Sequence, residues 1–234
     1  MIYVTADLHG YPLHQFLTLL DKAGFCDEDF LFVLGDVIDR GKDGAALLRW
    51  LTEQPNVQLI LGNHEAFLLS CDYLFQSVTD ESLEQLDTEK LRMLGIWKKN
   101  GADPTLDGLK KILKSEPEVM EGILDYLRDA PLYDTVEAGG RTYILVHGGL
   151  GNFRKDRPLS DYTPHELLWT RPTLDTRYFD NATVIYGHTP TCFFGEEFAG
   201  KALRGQGWIC IDTGAAMGGS PMLLRLDDEK EFYV

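Results

Sequence analysis

The sequence predicts a mixed α/β domain with a helical insertion, and three observations lead to this class. Short apolar runs recur along the chain, and each ends in a glycine-bearing turn. Helical patterns alternate with the first of these runs, and a long middle stretch carries no strand signal. The six apolar runs are Ile2–Ala6, Phe30–Leu34, Val57–Leu61, Tyr143–Val146, Thr183–Tyr186 and Trp208–Ile211. Because 234 residues suffice for one core, we expect the whole chain, 1–234, to form a single domain.

The first third of the chain alternates strands with single helices. Phe30–Leu34 contains five consecutive apolar residues rich in β-formers, which is typical of a strand buried on both faces. A helical stripe begins after Pro12 and closes at Gly24, and Asp43 is the predicted N-cap of a helix over 44–53. Strands joined by single helices predict parallel pairing with right-handed crossovers.

Residues 66–128 form the predicted insertion, because the strand signal vanishes there. Four helices are predicted within it, at Ala66–Phe75, Glu81–Leu94, Thr105–Lys114 and Pro117–Arg128. The insertion falls between two of the polar turns described below. We therefore interpret it as a cap beside the site that those turns form.

Strand signals return in the last third of the chain. Tyr133–Ala138 and Arg141–Val146 flank a Gly-Gly turn and predict a hairpin, and a short helix is predicted over Pro164–Trp169. The remaining predicted strands are Ala182–Tyr186, Gly207–Ile211, Met222–Leu226 and Glu231–Tyr233.

The overall charge excludes several classes of partner. Lys and Arg number 22 against 37 Asp and Glu, a formal net charge of −15. Such a charge repels nucleic acid and anionic membranes, so we expect neither as a partner. The four cysteines lack CxxC spacing and are interpreted as reduced thiols. No signal peptide or membrane-spanning run is evident, which predicts a cytoplasmic protein, and the sequence defines no oligomeric state.

Polar residues with metal-ligand chemistry follow five of the six apolar runs. Ligand sites in α/β sheets lie at the carboxyl ends of strands, so we expect these turns to converge. Four of the six histidines lie in them. The predicted metal ligands are Asp7, His9, Asp36, Asn63, His147 and His188. Oxygen and nitrogen donors of this kind favour Mn, Zn, Fe or Mg over copper or an iron–sulfur cluster.

Asp36 is the predicted carboxylate that bridges two cations. Asp7 and His9 project from one turn, and Asp36 follows the neighbouring strand, while the remaining ligands complete a second position. Two divalent ions roughly 3.5–4 Å apart lower the pKa of a shared water and stabilise a phosphoryl transition state.

Four further residues are candidates for the chemistry itself. His64 follows a predicted ligand, and Asp39 is placed to hydrogen-bond one of its ring nitrogens, which leaves the other to act as a general acid. Arg40 and Arg171 are candidate phosphate-binding residues. Two alternatives stay open: a structural Asp39–Arg40 salt bridge, and Arg171 as a surface arginine. Asp212 either supports a ligand histidine or caps a turn.

Five motifs occur in a fixed order along the chain. They are Asp7-Leu8-His9-Gly10, Gly35-Asp36-Val37-Ile38-Asp39-Arg40-Gly41, Gly62-Asn63-His64-Glu65, His147-Gly148-Gly149 and Gly187-His188-Thr189. This order resembles that of the calcineurin-like metallophosphoesterases, in particular the phosphoprotein phosphatase (Ser/Thr protein phosphatase) branch with its bacterial and bacteriophage members. Asn100-Gly101 with Thr105, and Trp169-x-Arg171, are also similar to its bacterial forms.

The resemblance implies a calcineurin-like β-sandwich flanked by helices (α/β/β/α) and direct attack by a hydroxide that bridges two metal ions. By the family pattern, the ligand sets are Asp7, His9 and Asp36 for one ion, and Asp36, Asn63, His147 and His188 for the other. His64 with Asp39 handles the leaving group, and Arg40 and Arg171 bind phosphate. Manganese is the leading expectation, with zinc or iron as alternatives. The tyrosine-bearing loop of the eukaryotic enzymes has no counterpart, so substrate preference does not follow from the resemblance.

Three functions are compatible with these residues. The leading interpretation is a protein Ser/Thr phosphatase, with dual specificity for phosphotyrosine left open, acting on phosphoproteins or small phosphoesters. The first alternative is a symmetrical diadenosine tetraphosphate hydrolase, because that bacterial branch shares the motifs and the form Gly187-His188-Thr189-Pro190. The second alternative is a non-catalytic metal-binding scaffold. The presence of His64 and of every predicted ligand argues against a scaffold.

Overall fold

The computed structural model describes residues 1–76 and 87–234, and within these ranges ten strands form two five-stranded sheets. The strands are β1 (Ile2–Thr5), β2 (Phe30–Val33), β3 (Val57–Leu59), β4 (Tyr133–Ala138), β5 (Arg141–Val146), β6 (Ala182–Tyr186), β7 (Leu203–Gly205), β8 (Trp208–Cys210), β9 (Met222–Arg225) and β10 (Lys230–Tyr233). The first sheet has the order β10-β9-β1-β2-β3, and the second has the order β4-β5-β6-β8-β7.

The strands at the centre of both sheets run parallel, as predicted for the first third of the chain. β1 pairs in parallel with β2, and β2 with β3. In the second sheet β5, β6 and β8 are parallel neighbours. The hairpin strands β4 and β5 pair antiparallel, as do β9 and β10. Parallel neighbours present their carboxyl ends at one edge, and the predicted site residues follow those ends.

Seven α-helices lie in the described ranges. They are α1 (Leu13–Ala23), α2 (Gly44–Glu53), α3 (Asn63–Ser70), α4 (Thr88–Lys99), α5 (Asp103–Ser115), α6 (Pro117–Asp129) and α7 (Pro164–Leu168). Short 3₁₀ turns occupy Asp72–Phe75, Leu159–Asp161, Thr191–Phe194, Glu196–Phe198 and Ala215–Met217. No helix of the described ranges combines the length and the apolar character that crossing a membrane requires.

The apolar strands divide their side chains between two cores. Along β2, Leu31 and Val33 face the helices, whereas Phe32 and Leu34 face the second sheet. This period of two explains why the run is apolar throughout: both faces of the strand are covered. The outer face of the second sheet is covered by α7 and by loop residues such as Tyr178. The layers are therefore helix, sheet, sheet and helix, which confirms the predicted fold class.

The insertion packs against the rest of the fold. Trp97 of α4, Leu109 of α5 and Leu127 of α6 are fully buried in the same core as Leu47 of α2. The part of the predicted helix Glu81–Leu94 that precedes residue 87 lies outside the described residues, and the described helix α4 continues beyond Leu94 to Lys99.

The structure differs from the sequence analysis in three details. The helix predicted from Ala66 begins at Asn63, so Asn63 and His64 lie in the first turn of α3. Strand β7 was not predicted, because only three residues with one buried side chain form it. Asp43 does occupy the N-cap position of α2, but its carboxylate accepts a hydrogen bond from the Leu13 amide at 3.0 Å instead of capping.

Candidate active site

The six predicted metal ligands and the predicted pair His64 and Asp39 meet at one edge of the sandwich, where each of these eight residues is at most 6% exposed. They come from the turns after β1, β2, β5 and β6 and from the first turn of α3. A cavity of about 260 Å³ opens there. It is lined by His9, Asp36, Arg40, Asn63, His64, Asn100, Trp169, Arg171, His188, Pro190, Phe193, Asp212 and Met217.

Asp36 lies between two clusters of ligand atoms. Its Oδ2 is 3.5 Å from His9 Nε2, and its Oδ1 is 3.4 Å from His147 Nε2. The first cluster joins Asp36 to His9 and His64, and the second joins it to His147 and His188; within each cluster the ligand atoms lie within 4.8 Å of one another. One carboxylate thus presents a separate oxygen to each cluster, which is the geometry of a bridging ligand.

Backbone carbonyl groups orient two of the histidines. His147 Nδ1 donates to the Leu34 carbonyl at 2.7 Å, and His9 Nδ1 donates to the Ile38 carbonyl at 3.1 Å. These hydrogen bonds turn the Nε2 atom of each ring toward the centre of the site, as is usual for metal-binding imidazoles. His147 Nε2 is also 2.9 Å from Asn63 Oδ1 and 3.2 Å from His188 Nδ1, so the second cluster has four donors with Asp36.

Asp7, a predicted ligand, is buried but belongs to neither cluster, and it lacks part of its hydrogen bonding. Its Oδ2 accepts from the His188 amide at 2.8 Å, whereas its Oδ1 has no hydrogen-bond partner. Burial, together with the carboxylates of Asp212 and Asp36, raises the pKa of Asp7. Neutralising this group of acids is a task that a bound cation performs, so the oxygen donors fit divalent metal ions.

The histidines are in the protonation state that a metal requires. Burial lowers the pKa of His9 to about 3 and, with His147 beside it, lowers the pKa of His188 to about 2. Both rings are therefore neutral at neutral pH. Burial opposes ionisation of Asp36, but the surrounding histidines outweigh it and lower the pKa of Asp36 overall. Neutral imidazoles and an ionised carboxylate are the forms that bind divalent cations.

His64 and Asp39 form a buried pair beside the first cluster. His64 Nδ1 donates to Asp39 Oδ2 at 2.6 Å, and its Nε2 lies 3.8 Å from Asp36 Oδ2 and 3.5 Å from Arg40 Nη2. Burial alone would lower the pKa of His64, but Asp36 and Asp39 raise it overall. The raised pKa favours the proton-bearing ring, and His64 lines the cavity, so this residue is a candidate proton donor.

Residues of the insertion form hydrogen bonds with Asp39 and with the backbone next to it, and the sequence did not predict these bonds. Trp97 Nε1 donates to the same Asp39 oxygen at 2.7 Å, so Asp39 is bonded to Trp97 and His64 rather than paired with Arg40. The Asp39 amide donates to Thr105 Oγ1 at 2.8 Å, and the Arg40 amide donates to the Gly101 carbonyl at 2.9 Å. A tryptophan in a helix of which half the residues are polar was the available signal for this role.

Glu65 is the second residue whose role was missed. It is fully buried, and its carboxylate accepts hydrogen bonds from the amides of Asp36, Val37 and Ile38 at 2.8–3.3 Å and from Gly62 at 3.2 Å. Glu65 therefore fixes the loop that carries the bridging carboxylate. Burial and the nearby Asp36 raise the pKa of Glu65 to about 7. Its place three residues into α3, as in a capping box, was the sequence signal.

The two arginines lie at the cavity mouth, and both are exposed. Arg171 Nη1 donates to the His188 carbonyl at 2.7 Å and to Thr189 Oγ1 at 3.2 Å, so its guanidinium is anchored to the turn that carries His188. Arg40 lines the same cavity. Asp212 accepts from the Gly214 amide at 3.0 Å, which is the turn-capping role left open by the sequence.

The backbone of the site is strained in a concentrated way. Among residues 1–76 and 87–234, eight non-glycine residues have positive φ, and six of them belong to the predicted site: Asp7, His9, Asp36, Asp39, Arg40 and His188. Such conformations cost roughly 1–3 kcal/mol each and persist where surrounding contacts enforce them. Gly187 shows how tightly the turns meet, because a Cβ atom there would overlap Asp7 Oδ2.

This sandwich, with clustered acids and imidazoles at its edge, defines a metal-dependent phosphoesterase, and comparison with known proteins agrees. The calcineurin-like phosphoesterase family matches residues 1–216, and the chain belongs to this family. The predicted recognition of the family is thereby confirmed, and the protein is a hydrolase that acts on phosphoester bonds.

Among curated relatives, the chain is similar to "Bis(5'-nucleosyl)-tetraphosphatase, symmetrical" of Erwinia tasmaniensis, at 26% identity over 98% of this chain and 95% of that protein. It is similar to the protein of the same description from Nitrosospira multiformis, at 27% identity over 99% of this chain and 94% of that protein. A crystal structure of a candidate diadenosine tetraphosphatase matches with a TM-score of 0.64 at 18% identity, covering 100% of this chain and 92% of that chain, a likeness in fold alone. The relatives support the first alternative better than the leading interpretation.

Proposed function

We propose that the protein hydrolyses dinucleoside tetraphosphates symmetrically, with diadenosine tetraphosphate as the representative substrate. The observation that carries the chemistry is Asp36, which offers one oxygen to each of two ligand clusters. The substrate class rests on the curated relatives, which match nearly the full length of the chain and carry this activity in their descriptions. A protein Ser/Thr phosphatase, the leading interpretation from sequence, becomes the competing hypothesis in the test below.

The residues present fit two divalent cations. We assign Asp7, His9 and Asp36 to one ion, and Asp36, Asn63, His147 and His188 to the other. Hard oxygen and neutral imidazole donors suit manganese, with zinc or iron as alternatives. When bound, such cations neutralise phosphate oxygens and lower the pKa of bound water.

The protein's own residues would then manage the leaving group and the phosphates. The oxygen of water bonds to a central phosphorus and the bond from that phosphorus to the bridging oxygen breaks. His64 donates its Nε2 proton to the released oxygen, and the proton lost by the water passes to solvent, from which His64 is protonated again. Asp39 holds His64 in the required orientation through the 2.6 Å hydrogen bond. Arg40 and Arg171, at the mouth of the cavity, bind the outer phosphate oxygens. These positive groups matter because the net charge of −15 otherwise repels a polyphosphate.

We also propose that residues 1–234 form one domain to which the insertion 66–128 contributes structurally. The contacts that support this are the shared core of α2, α4, α5 and α6, and the hydrogen bond from Trp97 to Asp39.

The test is a direct competition between substrate classes. Manganese-loaded protein is incubated with diadenosine tetraphosphate, and in parallel with phosphoserine, phosphothreonine and phosphotyrosine peptides. We expect ADP as the only nucleotide product, since symmetrical cleavage yields two identical halves. Formation of AMP and ATP would contradict the symmetrical reaction, and turnover confined to the peptides would restore the protein phosphatase. Failure on all of these and on an activated aryl phosphate would favour the scaffold.

A further inference from the structure

Three exposed apolar side chains line the candidate active site. Within the described ranges seven large hydrophobic residues are exposed, and three of them line the single cavity that holds Asn63 and Arg171. These three are Trp169 (38% exposed), Phe193 (64%) and Met217 (58%). Apolar groups clustered at a polar pocket mark a surface that binds a ligand. We call Trp169, Phe193 and Met217 the apolar rim.

Contacts with buried residues fix the positions of Trp169 and of the turn that carries Phe193, while both side chains stay partly exposed to solvent. Trp169 meets the ring of Phe67 edge-on, at a centroid distance of 5.4 Å, and the ring of His188 at 6.0 Å. Phe193 belongs to the 3₁₀ turn Thr191–Phe194, in which the neighbouring Phe194 stacks on Trp208 of β8. The turn is thereby anchored to the second sheet, and Phe193 projects from it without a comparable burial.

From this arrangement we infer that the apolar rim is a stacking platform for a nucleobase whose attached phosphates occupy the metal-ligand clusters. The inference rests on the proposed function and names the part of the substrate that the rim recognises. Trp169 and Arg171 lie two residues apart, so the aromatic surface and the phosphate-binding guanidinium come from one segment and line one cavity. A ligand that carries a flat uncharged ring and phosphates in series matches this pairing.

The chemistry of the rim favours a base over a peptide. Phosphoserine and phosphothreonine offer no flat surface to stack, and an extended peptide brings backbone polar groups that an apolar wall leaves unpaired. A nucleobase presents a π face that stacks on aromatic side chains whatever its edge chemistry. Stacking of one base contributes roughly 5- to 150-fold in affinity.

The experiment compares two ligands that share a diphosphate and differ in the adenosine that ADP carries, and the ring-removing variants then assign the effect to the base. Binding of ADP and of inorganic pyrophosphate to manganese-loaded protein is measured by calorimetry. We expect ADP to bind at least about tenfold more tightly. Phe193→Ala and Trp169→Ala should each remove most of this difference and change pyrophosphate affinity by less than about twofold. Phe193→Tyr and Trp169→Phe retain a ring and should retain the difference.

Leu174→Ala is the matched control, because Leu174 is 54% exposed but does not line the cavity. It should leave the affinity of both ligands unchanged. If Trp169→Ala lowers the melting temperature, Phe193→Ala decides alone, since Phe193 is the more exposed of the two.

Two results would overturn the inference. One is equal affinity of the unmodified protein for ADP and pyrophosphate; the other is an equal loss of both ligands in the rim variants. Because the readout is binding, these results are independent of turnover. Base-dependent ADP binding without hydrolysis of diadenosine tetraphosphate would remove the proposed function and leave the stacking platform.

Discussion

The metal-ligand clusters and the apolar rim line the same cavity but are built in opposite ways. Each predicted ligand is at most 6% exposed, and the Glu65 carboxylate and backbone carbonyl groups accept hydrogen bonds that fix the Asp36 loop and the His147 ring. The rim side chains are 38–64% exposed and come from a loop and two short 3₁₀ turns. Under the proposed function, the chemistry would depend on a buried and strained backbone, and substrate choice on surface side chains that can change without disturbing it.

The largest effect that tests this contrast is expected when the candidate bridging carboxylate of Asp36 is removed. Asp36→Asn should lower metal content below one equivalent and lower turnover by at least roughly 10²–10³-fold, because both clusters lose an anionic donor. Elemental analysis and kinetics on the same sample measure both effects. Asp175→Asn, an exposed acid outside the cavity, is the control. A fully metallated Asp36→Asn variant would refute the bridging assignment, while Phe193→Ala should keep its full metal content.

The second prediction tests the role of His64 as a general acid. His64→Asn should keep its metal but lose roughly 10²–10⁴-fold in turnover of alkyl phosphates, whose leaving groups need a proton. The loss should be smaller on diadenosine tetraphosphate, because a nucleoside diphosphate is a better leaving group. Measuring kcat for a series of esters with graded leaving groups tests this. An equal loss across the series would exclude a general-acid role for His64.

A third prediction concerns the support of the acid pair. Trp97→Phe keeps a buried ring but removes the donor to Asp39, so the free energy of unfolding should fall by about 1.5–3 kcal/mol. Denaturant unfolding measures this, with Trp50→Phe, a partly buried tryptophan away from the site, as comparison. Turnover of poor leaving groups should fall more than turnover of good ones. A uniform loss over all substrates would show that Trp97 acts only on stability.

The smallest expected effect is a pH dependence of stability that is larger in metal-free protein than in metal-loaded protein. Burial raises the pKa of Glu65 to about 7 and the pKa of Asp212 to about 7, above their unfolded values. Each of these carboxyls holds a proton in the folded state that it releases in the unfolded state, so its own contribution to stability falls as pH rises from about 4 to 7, whereas the lowered pKa values of His9 and His188 act in the opposite direction. The melting temperature of metal-free protein, minus that of metal-free Asp212→Asn protein, should therefore fall by a few degrees over this range. With metal bound this difference should fall less; an equal fall would contradict the neutralising role of the cations.

The sequence predicted which candidate ligands come together at the sheet edge, and their role as metal ligands stays a prediction. Each ligand follows an apolar run, so strand ends and convergence could be predicted before any coordinates. Glu65 and Trp97 escaped because their partners are backbone amides and a carboxylate distant in sequence, which periodicity does not reveal. The leading interpretation as a protein phosphatase has a related cause. The motifs that protein phosphatases and dinucleoside tetraphosphatases share lie in the ligand clusters. The apolar rim, which we propose recognises the base, is identified by side-chain exposure, and the sequence does not show exposure.

The hydrogen bond from Trp97 to Asp39 links residues 58 positions apart and ties the inserted helices to the acid pair. A chimaera with a foreign segment in place of residues 66–128 would therefore keep every motif of the first third of the chain. It would lack the Trp97 indole, which hydrogen-bonds Asp39, the partner of the candidate proton donor His64. Grafting experiments in this family should transplant the aspartate loop and helix α4 together.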